Sequence, residues 1–145
     1  MQKITTFLTY NDQAQAAAKL YTSIFKNSKI VNESPMAATF ELEGQRFIAL
    51  NGGPSFKFSE GVSLFVDCKT QEEIDMYWEK LTAGGGQPGQ CGWLKDRFGM
   101  SWQIVPSDLG KMLGDKDPAK AQRTMAAMLK MKKLDIRALQ QAYEG

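Results

Sequence analysis

The stretch Gln90–Pro106, QCGWLKDRFGMSWQIVP, contains the pattern that decides how this chain folds. Two alternating segments, CGWLKD and MSWQIVP, flank the turn signal at Arg97–Gly99, and this arrangement predicts a β-hairpin. Alternation along the second strand places Gln103 on one face of the sheet and Trp102 on the other. Because we expect a helix to pack against the outside of the sheet, Trp102 should lie under that helix and Gln103 should face a cavity.

A strand and a helix precede this hairpin. Residues 61–68, GVSLFVDC, are predicted to form the strand, and Thr70 and Glu73 have the spacing of a capping box that begins the helix. Gly84–Gly86 are predicted to end the helix. Its apolar positions recur at helical spacing and are Ile74, Tyr77, Trp78 and Leu81.

The same order of elements occurs earlier in the chain. Residues 3–10 are predicted to form a strand, Asp12 to cap the following helix, and Glu43-Gly44 to join the two strands of a hairpin. A shift of 57 positions superimposes the apolar stripe of the first helix on that of the second, and a shift of 55 aligns the two hairpins. The chain is therefore predicted to contain a duplicated β-α-β-β module.

Beyond Pro106 the pattern becomes helical. Asp117-Pro118 has the chemistry of a helix start, and Asp135 is predicted to cap a last helix. The predicted apolar face of the first of these helices consists of Ala121, Met125, Met128 and Leu129.

Composition restricts the possible functions. With 145 residues the chain is predicted to be one domain, and 18 basic against 16 acidic residues give a net charge of +2, too small for a nucleic-acid partner. The N-terminus does not have the pattern of a signal peptide, and no apolar run approaches a membrane span. We therefore expect a cytoplasmic protein with no membrane association.

The chain contains no histidine, the usual general base and a common metal ligand. Ser-His-Asp and Cys-His catalysis within this chain is therefore excluded. Cys68 and Cys91 are far apart and form no CxxC motif, so we interpret them as reduced, packed thiols.

Four strings carry a resemblance to a known family: FIALNGGPSFKF, QCGWLKDRFGMSWQIVP, AQRTMAAMLKMKKLDI and the final AYEG. They resemble the PhnB-like family, often labelled 3-demethylubiquinone-9 3-methyltransferase, of the vicinal oxygen chelate superfamily of glyoxalases, bleomycin-resistance proteins and dioxygenases. The resemblance covers essentially the whole chain. It implies an α+β fold in which two βαβββ modules, about 1–58 and 59–106, each curl around a cavity. A helical extension, about 107–145, would follow, usually within a homodimer.

The sequence departs from the family in two places. The segment Ile30–Ala38 is shorter than the family's usual strand and hairpin by about a dozen residues, so either the hairpin is truncated or a mobile tip is missing. Ser55 stands where the family more usually has histidine.

The resemblance implies positions for a metal site, because metal-dependent members of the superfamily take ligands from the first and last strand of each module. In this sequence those positions are Thr6, Ile48 or Ala49, Ser63 and Gln103. Two hydroxyls, a hydrocarbon and an amide are a poor set for a transition metal, so we expect no metal and no other cofactor.

Other catalytic arrangements are weak. The glycine-rich run at 83–89 follows a helix, so it is interpreted as a helix stop and turn; this weakens a methyltransferase assignment without excluding it. Asp96 and Arg97 could form an acid-cation pair, but an exposed hairpin turn is the better interpretation. Cys91 lacks an obvious base and is interpreted as packed.

The sequence therefore favours a metal-free protein that binds an unknown, partly apolar small molecule. Polar contacts are predicted from Thr6, Asn51, Ser63 and Gln103, and apolar walls from Phe65 and Trp93. Two alternatives remain open: an enzyme, either a methyltransferase or a metal-assisted lyase or oxygenase, and a purely structural dimer whose cavities are filled by side chains. Whether any reaction is catalysed, and in which cavity, stays open.

Overall fold

The computed structural model describes residues 2–145, which form two compact units that meet in sequence between Phe58 and Ser59. Unit 1 contains one helix and four strands: β1 (Thr6–Tyr10), α1 (Ala14–Ile24), β2 (Lys29–Glu33), β3 (Ala37–Leu42) and β4 (Gln45–Asn51).

Unit 2 repeats this order and then adds three helices. The repeated elements are β5 (Leu64–Cys68), α2 (Gln71–Thr82), β6 (Gln87–Pro88), β7 (Trp93–Lys95) and β8 (Ser101–Pro106). The added helices are α3 (Leu109–Leu113), α4 (Pro118–Met128) and α5 (Ile136–Glu144).

Both sheets have the same topology. The strand orders are β1-β4-β3-β2 and β5-β8-β7-β6, and in each sheet the first strand pairs in parallel with the last strand of its unit. The other pairs are antiparallel. The predicted α+β fold with two βαβββ modules is confirmed.

In unit 1, α1 covers one face of the sheet. The buried helix positions are mainly alanines, whose small side chains let the helix approach the strands closely. Among the larger side chains, Phe40 stacks on Phe47 with ring centroids 5.4 Å apart, and the hydroxyls of Tyr10 and Tyr21 are 3.0 Å apart. The apolar interior thus contains one polar pair, and its two members satisfy each other.

In unit 2, α2 begins with the predicted capping box. The Thr70 side chain accepts a hydrogen bond from the Glu73 backbone N–H, and the Glu73 carboxylate accepts one from the Thr70 N–H. The buried side chains between α2 and the sheet include Ile74, Tyr77, Leu81, Leu94, Trp102 and Ile104.

The predicted cap of α1 is wrong. Asp12 has a left-handed backbone, with φ of 101°. The helix starts after Gln13, and the Gln13 side chain forms no capping hydrogen bond. Asn51, at the end of β4, supplies it: its Oδ1 accepts from the Ala14 N–H at 2.8 Å. A tertiary contact thus replaces the local cap that the sequence suggested.

Two strands lie where periodicity alone predicted none, although the βαβββ modules implied by the family resemblance include them. The shortened segment contains β2, which pairs with β3 through a bulge between Ile30 and Asn32, and residues 34–36 join these two strands. The glycine-rich run contains β6, whose Gln87 pairs with Lys95.

The C-terminal helices start as predicted, with the side chain of Asp117 bonded to the Ala119 N–H and that of Asp135 to the Ala138 N–H. The predicted apolar face of α4 is partly wrong, since Met125 and Leu129 are exposed. The fully buried residue of α4 is Thr124.

The segment before α5 docks on the β6–β7 connection of unit 2. The N–H groups of Cys91 and Gly92 donate to the carbonyls of Met131 and Lys132, both at 2.8 Å. Gly92 has φ of 86°, and a Cβ there would lie 2.9 Å from Leu134 Cδ1. Only glycine allows this close packing at the backbone conformation that the turn requires.

Among residues 2–145, no helix combines the length and the apolar character needed to cross a membrane.

Candidate functional site

The sheet of unit 2 has a second face, opposite α2, that carries polar and aromatic side chains. We define the open face of unit 2 as Ser63, Phe65, Trp93, Lys95, Ser101 and Gln103, of which Ser101 is buried. Phe65 and Trp93 are the strand partners of Gln103 on its two sides, so the three residues form one row across the sheet. Phe65 is 60% exposed, although it is a large apolar residue.

The amide in the middle of this row is held in place by a hydrogen bond. Gln103 Nε2 donates to Ser63 Oγ at 3.0 Å. Within residues 2–145, no hydrogen bond to Gln103 Oε1 is found, so this oxygen can accept one from a ligand. Four predicted site residues, Ser63, Phe65, Trp93 and Gln103, therefore come together in unit 2.

A cleft of about 310 Å³ lies over β6 and β7 of this unit, within the size range of small-molecule sites. Its charged pair is Lys95 Nζ and Glu60 Oε1, 3.2 Å apart. The remaining lining residues are Gln87, Pro88, Gly89, Gln90, Trp93, Leu94 and Ser101. Neither charged residue was among the site residues predicted from the sequence. Alternation with Trp93 could have indicated Lys95, but no local signal indicates Glu60.

The prediction that Asp96 lies in an exposed turn is wrong, because this residue is only 3% exposed. Its Oδ1 accepts from the N–H groups of Phe98 and Met100 at 2.9 and 3.0 Å, and its Oδ2 accepts from Trp102 Nε1 at 2.9 Å. Burial of the carboxylate is compensated by these bonds, which shape the hairpin. Asp96 is therefore a buried structural residue of the β7–β8 hairpin.

The other two predicted residues belong to unit 1. Thr6 shares a face with Leu8 and Tyr10, the face that packs on α1. Both polar atoms of the Asn51 side chain are bonded within unit 1, Oδ1 to the Ala14 N–H and Nδ2 to Gln15 Oε1 and Pro35 O. Ligand contacts from these two residues stay predictions. The opposite face of this sheet carries Phe7, Thr9, Thr39, Ile48 and Leu50 and the ion pair of Glu41 and Arg46.

The donor atoms do not fit a transition-metal ion. No group of three or more His, Cys, Asp or Glu residues with metal-binding geometry occurs in the described part of the chain. At the positions implied by the family resemblance, Ser63 Oγ and the Gln103 amide bond to each other, and neither is a strong ligand for such a metal.

The two cysteines are free thiols. Burial raises the pKa of Cys68 to about 12, with smaller contributions from the charges of Glu73 and Asp67. The Cys68 thiol is therefore protonated at neutral pH and is a poor nucleophile. Cys91 is half-buried in the β6–β7 connection, with a left-handed φ of 59°.

Comparison with known proteins gives the family. The profile of the family described as 3-demethylubiquinone-9 3-methyltransferase matches residues 2–105. A Bacillus cereus structure described as a putative 3-demethylubiquinone-9 3-methyltransferase, PhnB protein, is 35% identical, with a TM-score of 0.67. That match covers 72% of this chain and 99% of the relative. No curated protein matches the chain.

More distant structures share the fold alone. A glyoxalase-related enzyme from Fulvimarina pelagi is 15% identical, with a TM-score of 0.54. The match covers 74% of this chain and 91% of that enzyme. The fosfomycin resistance protein FosX from Listeria monocytogenes, solved with Mn(II) and sulfate, is 18% identical, with coverages of 73% and 91% and a TM-score of 0.54.

The family match ends at Val105, so the resemblance of the C-terminal strings stays a prediction. With the family profile, the Bacillus cereus relative and the fold in agreement, the chain belongs to the PhnB-like family labelled 3-demethylubiquinone-9 3-methyltransferase, within the glyoxalase/bleomycin-resistance fold.

Proposed function

We propose that this protein binds a small, partly apolar molecule on the open face of unit 2, without a metal ion. The observation that carries the proposal is the row Phe65–Gln103–Trp93, in which one oriented amide lies between two aromatic side chains. Apolar walls with few, well-placed polar groups are typical of small-molecule sites. Because Ser63 holds the amide, Gln103 loses little side-chain freedom when a ligand binds.

The metal-free part of the proposal rests on the ligand chemistry. The FosX structure contains Mn(II), but the corresponding positions in this chain offer a hydroxyl and an amide that bond to each other. We expect that protein purified in the presence of manganese, nickel or zinc contains no stoichiometric metal by elemental analysis. Tightly held metal at one equivalent per chain would contradict this.

The methyltransferase activity in the family description remains an alternative that no contact in unit 2 specifically favours. The glycine-rich run forms the end of α2 and strand β6, whereas a nucleotide-type loop joins a strand to a helix. Saturable micromolar binding of S-adenosylmethionine in calorimetry would favour the alternative.

The assembly and location of the protein are proposals of the same kind. We propose a homodimer in the cytoplasm, with each chain acting as a single domain of two modules and a helical extension. The exposure of large apolar side chains such as Phe7 and Phe65 supports the dimer. Sedimentation velocity measures the assembly: a mass near 32 kDa is expected if the 16.2 kDa chain pairs.

Calorimetry with a neutral aromatic alcohol, 2-naphthylmethanol, tests the binding proposal. We expect saturable binding by the wild type and at least ten-fold weaker binding by Gln103→Leu, because the hydroxyl of the probe loses its acceptor. Gln122→Leu on the exposed surface of α4 is the matched control and should bind like the wild type. Unchanged affinity in Gln103→Leu would refute the site, and native mass spectrometry of fresh protein would identify a co-purifying ligand.

A further inference from the structure

The cleft of unit 2 contains an ion pair whose two members are anchored differently. Lys95 is on β7, where its backbone pairs with Gln87 of β6 on one side and with Ser101 of β8 on the other. Its side chain is 42% exposed. Glu60 lies in the irregular segment before β5, and its side chain is 75% exposed.

This difference decides which charge remains when the pair opens. An exposed ion pair on the protein surface is weak, because water and salt screen it and two long side chains lose freedom. Glu60 can turn into solvent at little cost, whereas the backbone of Lys95 is fixed in the sheet. An open cleft therefore carries a positive charge.

The remaining lining of the cleft suits an anion with an apolar body. Glu60 is the one carboxylate among the described residues that line it, and Gln87 and Gln90 provide amide groups that can donate hydrogen bonds. Trp93 belongs both to this lining and to the row with Gln103. A molecule that lies against Trp93 can thus reach the Lys95 ammonium and the Gln103 amide together.

We infer that the ligand is an organic anion, a carboxylate or a similar acid on an aromatic or aliphatic body, whose charged group replaces the Glu60 carboxylate at Lys95. The inference rests on the proposed function, since it assigns the chemical class of the molecule bound on the open face of unit 2. Glu60 then acts as a competitor of the ligand and sets its affinity.

Two probes of nearly the same shape test the charge preference. Calorimetry compares 2-naphthoate, an anion, with neutral 2-naphthylmethanol. We expect the wild type to bind 2-naphthoate at least ten-fold more tightly. Lys95→Met should abolish this preference while the neutral probe still binds, and Lys95→Arg should retain it. Glu60→Gln should bind 2-naphthoate several-fold more tightly, because the competing carboxylate is removed.

Lys133→Met is the matched control, because Lys133 forms an exposed ion pair with Asp75 at 2.9 Å and its side chain is 43% exposed, almost the value of Lys95. This variant should keep the wild-type preference. Equal affinities for the two probes, or a preference that survives in Lys95→Met, would overturn the inference and leave the proposed function standing. If Glu60→Gln lost the tight binding of 2-naphthoate that the wild type shows, the role of Glu60 as a competitor of the ligand would be overturned. If neither probe binds, the proposed function fails as well.

Discussion

The two units share one topology but differ in what their sheets carry. In unit 1 the face opposite the helix carries Phe7, Thr9, Thr39, Ile48 and Leu50, together with the ion pair of Glu41 and Arg46. The corresponding face of unit 2 carries an amide, two hydroxyls and an ammonium group between its aromatic residues. The difference teaches that the two units share their strand order but not the side chains on this face, and the amide between two aromatic residues, where we propose that the ligand binds, is in unit 2.

The polar groups that the two units bury also differ. Unit 1 buries the Tyr10–Tyr21 pair beside stacked phenylalanines, whereas unit 2 buries the Asp96 carboxylate beneath Trp102. In the hairpin of unit 1, the half-buried carboxylate of Glu41 forms an ion pair with Arg46 at 3.0 Å. The hairpin of unit 2 thus has a fully buried carboxylate, and that of unit 1 has a half-buried one.

The largest expected effect comes from removing the buried carboxylate. Asp96→Ala removes the acceptor of three hydrogen bonds, and we expect it to lower the free energy of unfolding by about 4 kcal/mol. Urea denaturation followed by circular dichroism measures the change.

Glu41→Ala is the control in unit 1 and should cost less than about 1 kcal/mol, since its ion pair is partly exposed. Equal effects of the two substitutions would mean that the hairpins do not differ as the hydrogen bonds indicate.

The helix caps give a smaller contrast. Asn51→Ala removes the cap of α1 together with the bonds to Gln15 and Pro35, so we expect a loss of about 2 kcal/mol. Thr70→Ala removes a local cap of α2 and should cost about 1 kcal/mol. Thermal or urea unfolding compares the two, and a larger loss for Thr70→Ala would show that the tertiary cap contributes little.

The smallest expected effect concerns pH. Burial raises the pKa of Cys68 from an ordinary value of 9.0 to about 12 in the folded chain, so above pH 9 the unfolded chain releases the thiol proton more readily. The folded state binds more protons there, and stability must fall as pH rises. Between pH 9 and 10 this thiol should contribute a loss of about 1 kcal/mol.

The difference between wild type and Cys68→Ala isolates this thiol, because other groups titrate in both proteins. The wild type should lose more stability than the variant over this interval, and the two should follow parallel curves between pH 6 and 8. Parallel curves up to pH 10 would mean that the Cys68 pKa is not raised.

Much of the fold could be predicted because its signals are local. The capping box at Thr70, the turn at Glu43-Gly44 and the helix starts at Asp117 and Asp135 each depend on a few consecutive residues. The short strands β2 and β6 could not be predicted, since their pairing depends on partners supplied by β3 and β7.

The candidate site was predictable only in part. Alternation on β8 indicated Gln103, and the parallel register with β5, which the sequence did not indicate, brings it beside Phe65. Glu60 and Lys95 contact each other although they are 35 residues apart in sequence, and no spacing rule connects two such residues. Asp96 was misinterpreted because a Lys-Asp-Arg turn has the same composition whether its acid is exposed or buried.

By itself, the sequence determined the duplicated β-α-β-β order, the apolar stripes of α1 and α2 and the alternation of the strands, because these follow from periodicity and from contacts between near neighbours. The additional strand of each βαβββ module was implied by the family resemblance. The tertiary structure decided that Asn51 caps α1, that Asp96 is buried beneath Trp102, and that Glu60 meets Lys95 across a cleft. Each of these depends on residues far apart in the chain, whose meeting is fixed only when the strands and helices pack together.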